Sequence, residues 1–368
     1  MSINLNKLSK DSYFMNLALI QARKVLGNTK KNHAVGCVIV KDNCLLSAAS
    51  TRLNGYPHAE HNALIFNKEK NQNCDLYVTL EPCSNYGKTP PCVKTIIKNK
   101  IGRVFFSIKD PDLKSFNKSS LQFKKNRIKV KTGINHNQIN HFYRSYKKSK
   151  RENLPFVTCK LAISKDFYTV NKKRRWITNE FSRGRVHIMR SEHDCLITSS
   201  RTIIKDNSTL NCRIKGLENK SPSRIILDSK LKIPLTSNLI KTSNLYKTII
   251  FYHHTNTKKI RLLKKLNIRV IRFPIMSNGF FDLREILTKV KKLGYSRVMV
   301  ETGIKLSSNF LKFNLVDDLH LFISNKKIKK DGDAKMYNYY KHFLLKNRKK
   351  NLIKVNLLGD KLITYNLK

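Results

Sequence analysis

The sequence predicts an α/β protein of two domains, on three observations. Its 368 residues exceed one ordinary core and suit about two domains of roughly 150 residues each. Short apolar runs alternate with helical patterns along the whole length. A charged stretch without apolar periodicity, "SYKKSKREN" at 145–153, interrupts that alternation and is read as the connection. The expected domains are 1–147 and 154–368.

In the first domain, Phe14, Leu17, Ala18 and Ala22 recur at helical spacing. "VGCVIV" and "LLSAAS" read as strands joined at "KDN". A helix opening at "HAEHNALIF", a strand "LYVTL", a helix from "PPCVKTIIK" and a strand "RVFFSI" follow. The second series runs through "LPFVTCKLAIS", "DCLITSS", "SRIILD", "TIIFYHH", "NIRVIRF", "SRVMVET" and "LVDDLHLFIS". Between its later strands "DLREILTKVKKLG" is a helix with Gly294 as its C-cap. The tail "NLIKVNLLGDKLITYNL" predicts a hairpin turning at "GD", and "NKKIKKDGD" at 325–333 a solvated loop.

Composition narrows the partners. Lysine and arginine exceed aspartate and glutamate by 74 − 24 = 50. The lysines are spread over the chain with many asparagines and isoleucines, the mixture expected of A- and T-rich codons, and form no basic arm or finger pattern. A specific nucleic-acid partner is therefore not expected, although the charge favours phosphorylated substrates through steering. No run of about twenty apolar residues predicts a membrane span, and the first residues lack a secretory pattern. Eight cysteines, several inside apolar strands, read as thiols of a reducing compartment, so the cytoplasm is expected. Self-association is left open.

Chemistry concentrates in "PHAEHNAL" at 57–64 and "LEPCSNYGKTPPC" at 80–92. A catalytic zinc site takes three protein ligands and keeps one position open. His58, Cys83 and Cys92 supply an imidazole and two thiolates. His58 begins a helix, and Cys92 follows two prolines at the start of another, where backbone N–H groups favour negative charge. Glu60 is placed to move a proton as general acid and base. His-x-Glu followed by Pro-Cys is the pattern of zinc-dependent deaminases, although their cysteines are separated by two residues and these by eight. Cys37, Cys44, Cys74, Cys159, Cys195 and Cys212 read as core or incidental residues, and His61 as one position off the functional face.

These segments, with "VGCVIVKD" and "RVFFSIKDP", strongly resemble the bifunctional deaminase–reductase family of riboflavin biosynthesis, over nearly the whole chain. The resemblance implies an N-terminal cytidine-deaminase-like three-layer domain and a C-terminal dihydrofolate-reductase-like domain. It implies a phosphoribosylated pyrimidine as substrate, with zinc and NADPH as cofactors. Asn32 and Lys88 would meet the substrate in the deaminase. In the second domain "CKLAIS", "RWIT", "RIILDS" and "VETG" carry the match. There Ala162, Trp176, Thr202, Asp206, Ser229 and Gly303 would border NADPH, while Lys160, Arg174, Arg190, Leu210, Arg213 and Glu301 would contact the phosphoribosyl substrate.

The chain also departs from the family. His33 stands for a proline, Thr51 for a histidine and Leu113 for a proline. Phe167 stands for a glycine, Arg174 for a serine, and "ETGIKLSSN" at 301–309 keeps Gly303 without its usual glycine neighbour. Two alternatives follow: a deaminase with a degenerate reductase domain, and a deaminase acting on RNA.

Overall fold

A helix and a hairpin open the described chain. The computed structural model describes residues 9–29, 32–66, 71–87, 89–112, 118–174, 176–336, 340 and 350–368. It divides into two units, Met1–Asn153 and Leu154–Lys368.

In the first unit α1 (Lys10–Lys24) is followed by β1 (Gly36–Lys41) and β2 (Cys44–Ser50). Asp42 and Asn43 make the turn between the strands with φ of 47° and 67°, as residues of a tight hairpin do. Next come α2 (Ala59–Ile65), β3 (Asp75–Leu80), α3 (Cys92–Lys98), β4 (Arg103–Ile108), α4 (Lys118–Lys125), β5 (Lys129–Thr132), α5 (His136–Phe142) and α6 (Arg144–Arg151). The sheet order is β2-β1-β3-β4-β5. Every residue of β3 is buried, so both faces of the sheet are covered. Gly36 allows α1 to lie directly on β1: a Cβ there would stand 1.9 Å from the Ala18 carbonyl oxygen. Phe106 is wholly buried in this core, and truncating it to alanine costs about 3–5 kcal/mol.

The "SYKKSKREN" connection is largely helical, which its lack of apolar periodicity did not show: α6 takes most of it and buries Ser145, Tyr146 and Lys148. Tyr146 makes the difference. Its hydroxyl donates to Asp110 Oδ1 at 2.5 Å, and its ring stacks on His33 at 3.4 Å. A single anchoring aromatic gives no periodic pattern, so polarity hid the helix.

The second unit contains β6 (Phe156–Ile163), β7 (Tyr168–Asn171), α7 (Glu180–Ser191), β8 (Cys195–Ser199), α8 (Ser200–Asp206), β9 (Ser223–Leu227), α9 (Asn238–Lys241), β10 (Thr248–Tyr252), α10 (Thr257–Lys265) and β11 (Arg269–Arg272). It continues with α11 (Leu283–Lys292), β12 (Arg297–Glu301), α12 (Ile304–Lys312), β13 (Asp318–Ile323), β14 (Gly332–Lys335), β15 (Lys350–Ile353) and β16 (Lys361–Asn366). The large sheet runs β11-β10-β9-β8-β12-β6-β13-β16-β15. Its strands are parallel from β11 to β13, and β16 and β15 close the edge as the antiparallel hairpin expected of the tail. Gly294 lies just past the α11 cap at Leu293, with φ of 98°. The "NKKIKKDGD" loop is only partly loop: Gly332–Lys335 pairs with β7. Among the thiols, Cys44 is exposed while Cys37, Cys74, Cys159, Cys195 and Cys212 are buried, and none of these is in a disulfide.

Candidate active sites

The first site sits where two helices begin beside the end of β3. His58 is the N-cap of α2, and Cys92 is the first residue of α3 behind Pro91. Cys83 lies in the loop after β3. His58 Nδ1 stands 3.3 Å from Cys92 Sγ and 3.6 Å from Cys83 Sγ, and the Cys92 N–H donates to Cys83 Sγ at 3.3 Å. Zinc bonds of about 2.0–2.1 Å to nitrogen and 2.3 Å to sulfur, at tetrahedral angles, separate those atoms by about 3.6 Å. The donor set therefore fits zinc in both chemistry and spacing. His58, Cys83 and Cys92 are the one group of at least three potential ligands so clustered among the described residues.

Without a metal the electrostatics favour one thiolate of the two. Hydrogen bonds from the Cys92 thiol and from His58 take the Cys83 thiol down to about 4 against the effect of burial, while the hydrogen bond to Cys83 and burial push the Cys92 thiol up. Burial pushes the Glu60 carboxyl up to about 7, although the charge of His58 works in the other direction. Glu60 is buried in the first turn of α2, and His61 is exposed.

Asn32 is held next to this helix start. Its amide donates to the Gly55 carbonyl at 2.7 Å, and a Cβ on Gly55, whose φ is 97°, would meet the Asn32 Cβ at 2.8 Å. Thr51, where the resemblance led to a histidine, accepts from the Val35 N–H at 3.1 Å. Lys88 and Leu113 lie outside the described residues.

Glu81, in the same "EPC" motif, carried no assignment from sequence. It is buried and accepts from Asp110 N at 3.1 Å and Ser119 Oγ at 2.8 Å. Its carboxylate ties the cysteine loop to the loop after β4. A glutamate two residues before a metal-binding cysteine was the available signal.

The second site lies at the carboxyl ends of the parallel strands, where open α/β sheets bind ligands. Lys160 and Glu301 are opposite one another in the β6–β12 register, and Lys160 Nζ is 3.6 Å from Glu301 Oε1. Arg190 on α7 clasps the same carboxylate through Nε and Nη2, each at 2.9 Å. Burial alone would raise the Glu301 carboxyl, but Arg190 and Lys160 hold it at about 2. The remaining Arg190 nitrogen, Nη1, donates to the Asn211 carbonyl at 2.9 Å. Arg190 is thus buried and turned to Glu301 and Asn211 instead of standing open as a fork for phosphate.

Arg213 is exposed, with Nη1 on Asn211 Oδ1 at 3.2 Å. Leu210 is buried and has φ of 57°, so it offers main-chain atoms to its surroundings. His187 was missed by sequence reasoning. Its Nδ1 lies 3.0 Å from the Asn211 carbonyl and 3.2 Å from the Arg213 N–H, pinning that loop to α7. Burial, then Arg190 and Arg213, keep the His187 ring down at about 4 and hence neutral.

Four of the expected cofactor residues, Ala162, Thr202, Ser229 and Gly303, lie at or just beyond strand ends. Ala162 is two residues beyond Lys160 on β6, on the same face. Gly303 is the N-cap of α12, and a Cβ there would meet nothing within 4 Å. Thr202 Oγ1 contacts Thr302 Oγ1 at 3.3 Å, and the Ser229 carbonyl accepts from His253 and His254 N–H, each at 2.9 Å. Asp206 is exposed at the last position of α8. Trp176 is half exposed beneath Arg183, 4.9 Å from the ring centroid, and Arg174 is exposed with its N–H on Asn171. An open helix start and hydroxyl groups at strand ends suit the phosphates of a dinucleotide.

Phe167 shows how the chain accommodates a departure. It keeps a left-handed backbone, with φ of 69°, which glycine adopts freely and phenylalanine does not. Asp166 braces the turn by accepting from Ser164 Oγ and from the Ile328 and Lys329 N–H groups.

Fold and sites together define a zinc-type pyrimidine deaminase joined to a nucleotide-dependent reductase on one chain. Residues 8–108 match the cytidine and deoxycytidylate deaminase zinc-binding region, and residues 155–330 match the RibD C-terminal domain. The riboflavin biosynthesis protein RibD of Aquifex aeolicus is 33% identical over 360 residues, covering 96% of this chain and 98% of that one. The Escherichia coli protein of the same name is 28% identical, covering 88% and 90%. The solved structure of Acinetobacter baumannii RibD superposes with a TM-score of 0.83 at 28% identity, over 97% of this chain and 98% of that one. A Thermotoga maritima diaminohydroxyphosphoribosylaminopyrimidine deaminase/5-amino-6-(5-phosphoribosylamino)uracil reductase gives 0.83 at 26% identity, with the same coverage. This chain belongs to the RibD family of bifunctional riboflavin biosynthesis enzymes.

Proposed function

We infer that the chain performs two successive reactions. The 2-amino group of 2,5-diamino-6-hydroxy-4-(5-phosphoribosylamino)pyrimidine is replaced by oxygen, releasing ammonia. The ribosyl group is then reduced with NADPH, giving 5-amino-6-(5-phosphoribitylamino)uracil. The observation that carries the reading is the His58–Cys83–Cys92 cluster beside buried Glu60, in a chain whose relatives align across both halves. That alignment gives a stand-alone RNA deaminase no support.

His58, Cys83 and Cys92 would hold zinc, which when bound makes a water acidic enough to supply hydroxide near neutral pH. Glu60, at about 7, takes up a proton and returns it to the departing amine at the same pH. Asn32, and Lys88 by its place in the motif, orient the pyrimidine and its phosphorylated arm.

In the reductase, NADPH when bound would supply a hydride to the first carbon of the sugar, whose ring oxygen must gain a proton as the ring opens. Lys160, whose Nζ lies 3.6 Å from Glu301 Oε1, would donate it. Arg190 positions Glu301, and Arg213 is the exposed guanidinium that suits the substrate phosphate. Ala162, Thr202, Asp206, Ser229, Gly303 and Trp176 border the cofactor, while Leu210 and Arg174 complete the substrate side. Among the described residues no helix is long and apolar enough to cross a membrane. A cytoplasmic site of action is part of this proposal.

Ammonia release tests the first reaction. The zinc-loaded protein should liberate ammonia from the diaminopyrimidine, and chelation should abolish release in step with zinc content. Release that persists after complete removal of zinc contradicts the assignment.

A further inference from the structure

Two hydroxyl-bearing residues stand where the second sheet meets its helix starts. Ser199 ends β8 and Thr302 follows β12. The β8–β12 register, with Val300 opposite Ile197, carries Thr302 alongside Ser199. Thr202, one turn into α8, completes a cluster. Ser199 Oγ is 3.1 Å from Thr202 Oγ1, Thr202 Oγ1 is 3.3 Å from Thr302 Oγ1, and the direct Ser199–Thr302 edge is 3.5 Å. The Thr202 N–H also points to Ser199 Oγ, at 3.3 Å.

Each hydroxyl has one proton and two lone pairs, so each can donate in one contact and accept in another, and the three polarise one another. Ser199 and Thr202 can stay bonded to each other while Thr302 turns its proton to a ligand. Thr302 is 9% exposed, and Gly303, immediately next to it, leaves open space at the start of α12. Along β12, Val300 packs in the main core and Met299 in another cluster, so Glu301 and Thr302 leave the strand end toward opposite faces. A dinucleotide that puts its hydride end beside Lys160 and Glu301 has its phosphates away from that pair.

We propose that the Thr302 hydroxyl, backed by Ser199 and Thr202, donates to a pyrophosphate oxygen of the nicotinamide dinucleotide. This rests on the reductase reading of the second domain. The chain thereby recognises with a side-chain hydroxyl a group that a glycine at 302 could reach only through its backbone.

The test is equilibrium titration of the full chain with NADPH and with NADH, followed by the fluorescence of the reduced nicotinamide. Thr302→Val removes the hydroxyl at nearly constant volume and should weaken both dinucleotides alike, by about tenfold or more for a bond to a charged acceptor. Thr302→Ser, which keeps the hydroxyl, should bind close to the unaltered chain, and Thr302→Gly should bind no more tightly than it. Thermal midpoints without cofactor verify that each variant is folded. Unchanged affinity in Thr302→Val, or tighter binding by Thr302→Gly, overturns the proposal alone. A loss confined to NADPH overturns the pyrophosphate assignment, because it places the hydroxyl on the 2′-phosphate. Absence of saturable binding by the unaltered chain sinks the reductase reading and the proposal with it.

Discussion

The zinc centre and the reductase cleft solve the same problem, fixing charged groups out of water, in different ways. The first draws three potential ligands from a 35-residue stretch, His58 to Cys92, two at helix starts and Cys83 in the loop after β3. The second gathers Lys160, Arg190 and Glu301, with neutral His187 and the Asn211 carbonyl, from segments far apart in the chain and sets two cations against one carboxylate. A metal demands particular donor atoms at a particular spacing, so its site is written compactly. A cleft of opposed charges needs only that the geometry close, so many sequences would serve.

That contrast is sharpest at the two carboxylates. Glu60→Gln should retain zinc, measured by elemental analysis, while deamination falls by about 10²–10⁴-fold, the range for a lost acid–base group. Reduction of the ribosyl intermediate should persist in this variant. A Glu60→Gln protein that deaminates at the original rate would break the comparison at its stronger end.

Glu301→Gln should act on the other half. It leaves Arg190 and Lys160 without their counter-charge, and disrupting a buried pair in this way costs about 3–5 kcal/mol. Denaturant unfolding followed in the second domain should report that loss, with NADPH oxidation falling and ammonia release retained.

The same carboxylate predicts a pH dependence. Its folded pKa, about 2, lies below the ordinary 4.5, so its stabilisation is complete above 4.5 and is lost as pH falls toward 2. His187, at about 4 against 6.5, contributes stability that is likewise lost as pH falls, from 6.5 toward 4. The reductase domain should therefore weaken progressively below pH 6.5, and Glu301→Gln should flatten the lower part of that profile. An unfolding midpoint independent of pH from 6.5 to 3 contradicts the opposed-charge account.

The smallest effect belongs to Phe167. Its side chain is 43% exposed, so little burial is lost on removing it, while left-handed backbone costs a residue with a Cβ about 1–2 kcal/mol. Phe167→Gly should stabilise the second domain by about 0.5–1 kcal/mol after the added freedom of the unfolded chain is subtracted. Destabilisation would mean that the phenyl ring contributes packing beyond its exposed area.

Much of the fold was legible because its strands are continuous apolar runs bounded by turn residues. "RVFFSI" and "TIIFYHH" needed nothing more. The His58–Cys83–Cys92 cluster was legible because spacing and helix starts carry the information locally. What escaped did so for physical reasons. In α6 Tyr146 is the one buried aromatic, beside Ser145 and Lys148, and one aromatic among lysines leaves no period to read. Arg190 reads as a phosphate fork until Glu301, on a strand 111 residues away in sequence, is seen to occupy it. Glu81 and His187 act through main-chain and second-loop contacts that no local pattern encodes. The Ser199–Thr302 pair likewise exists only once two parallel strands lie side by side.

Two sites of unlike construction on one chain make a direct prediction about products. The most incisive measurement is chromatographic identification of what the zinc-loaded protein makes from the diaminopyrimidine, with and without NADPH. The account predicts 5-amino-6-(5-phosphoribosylamino)uracil alone without NADPH, and the ribityl product with it. An unchanged diaminopyrimidine in both samples, or arrest at the ribosyl compound when NADPH is saturating, would contradict it.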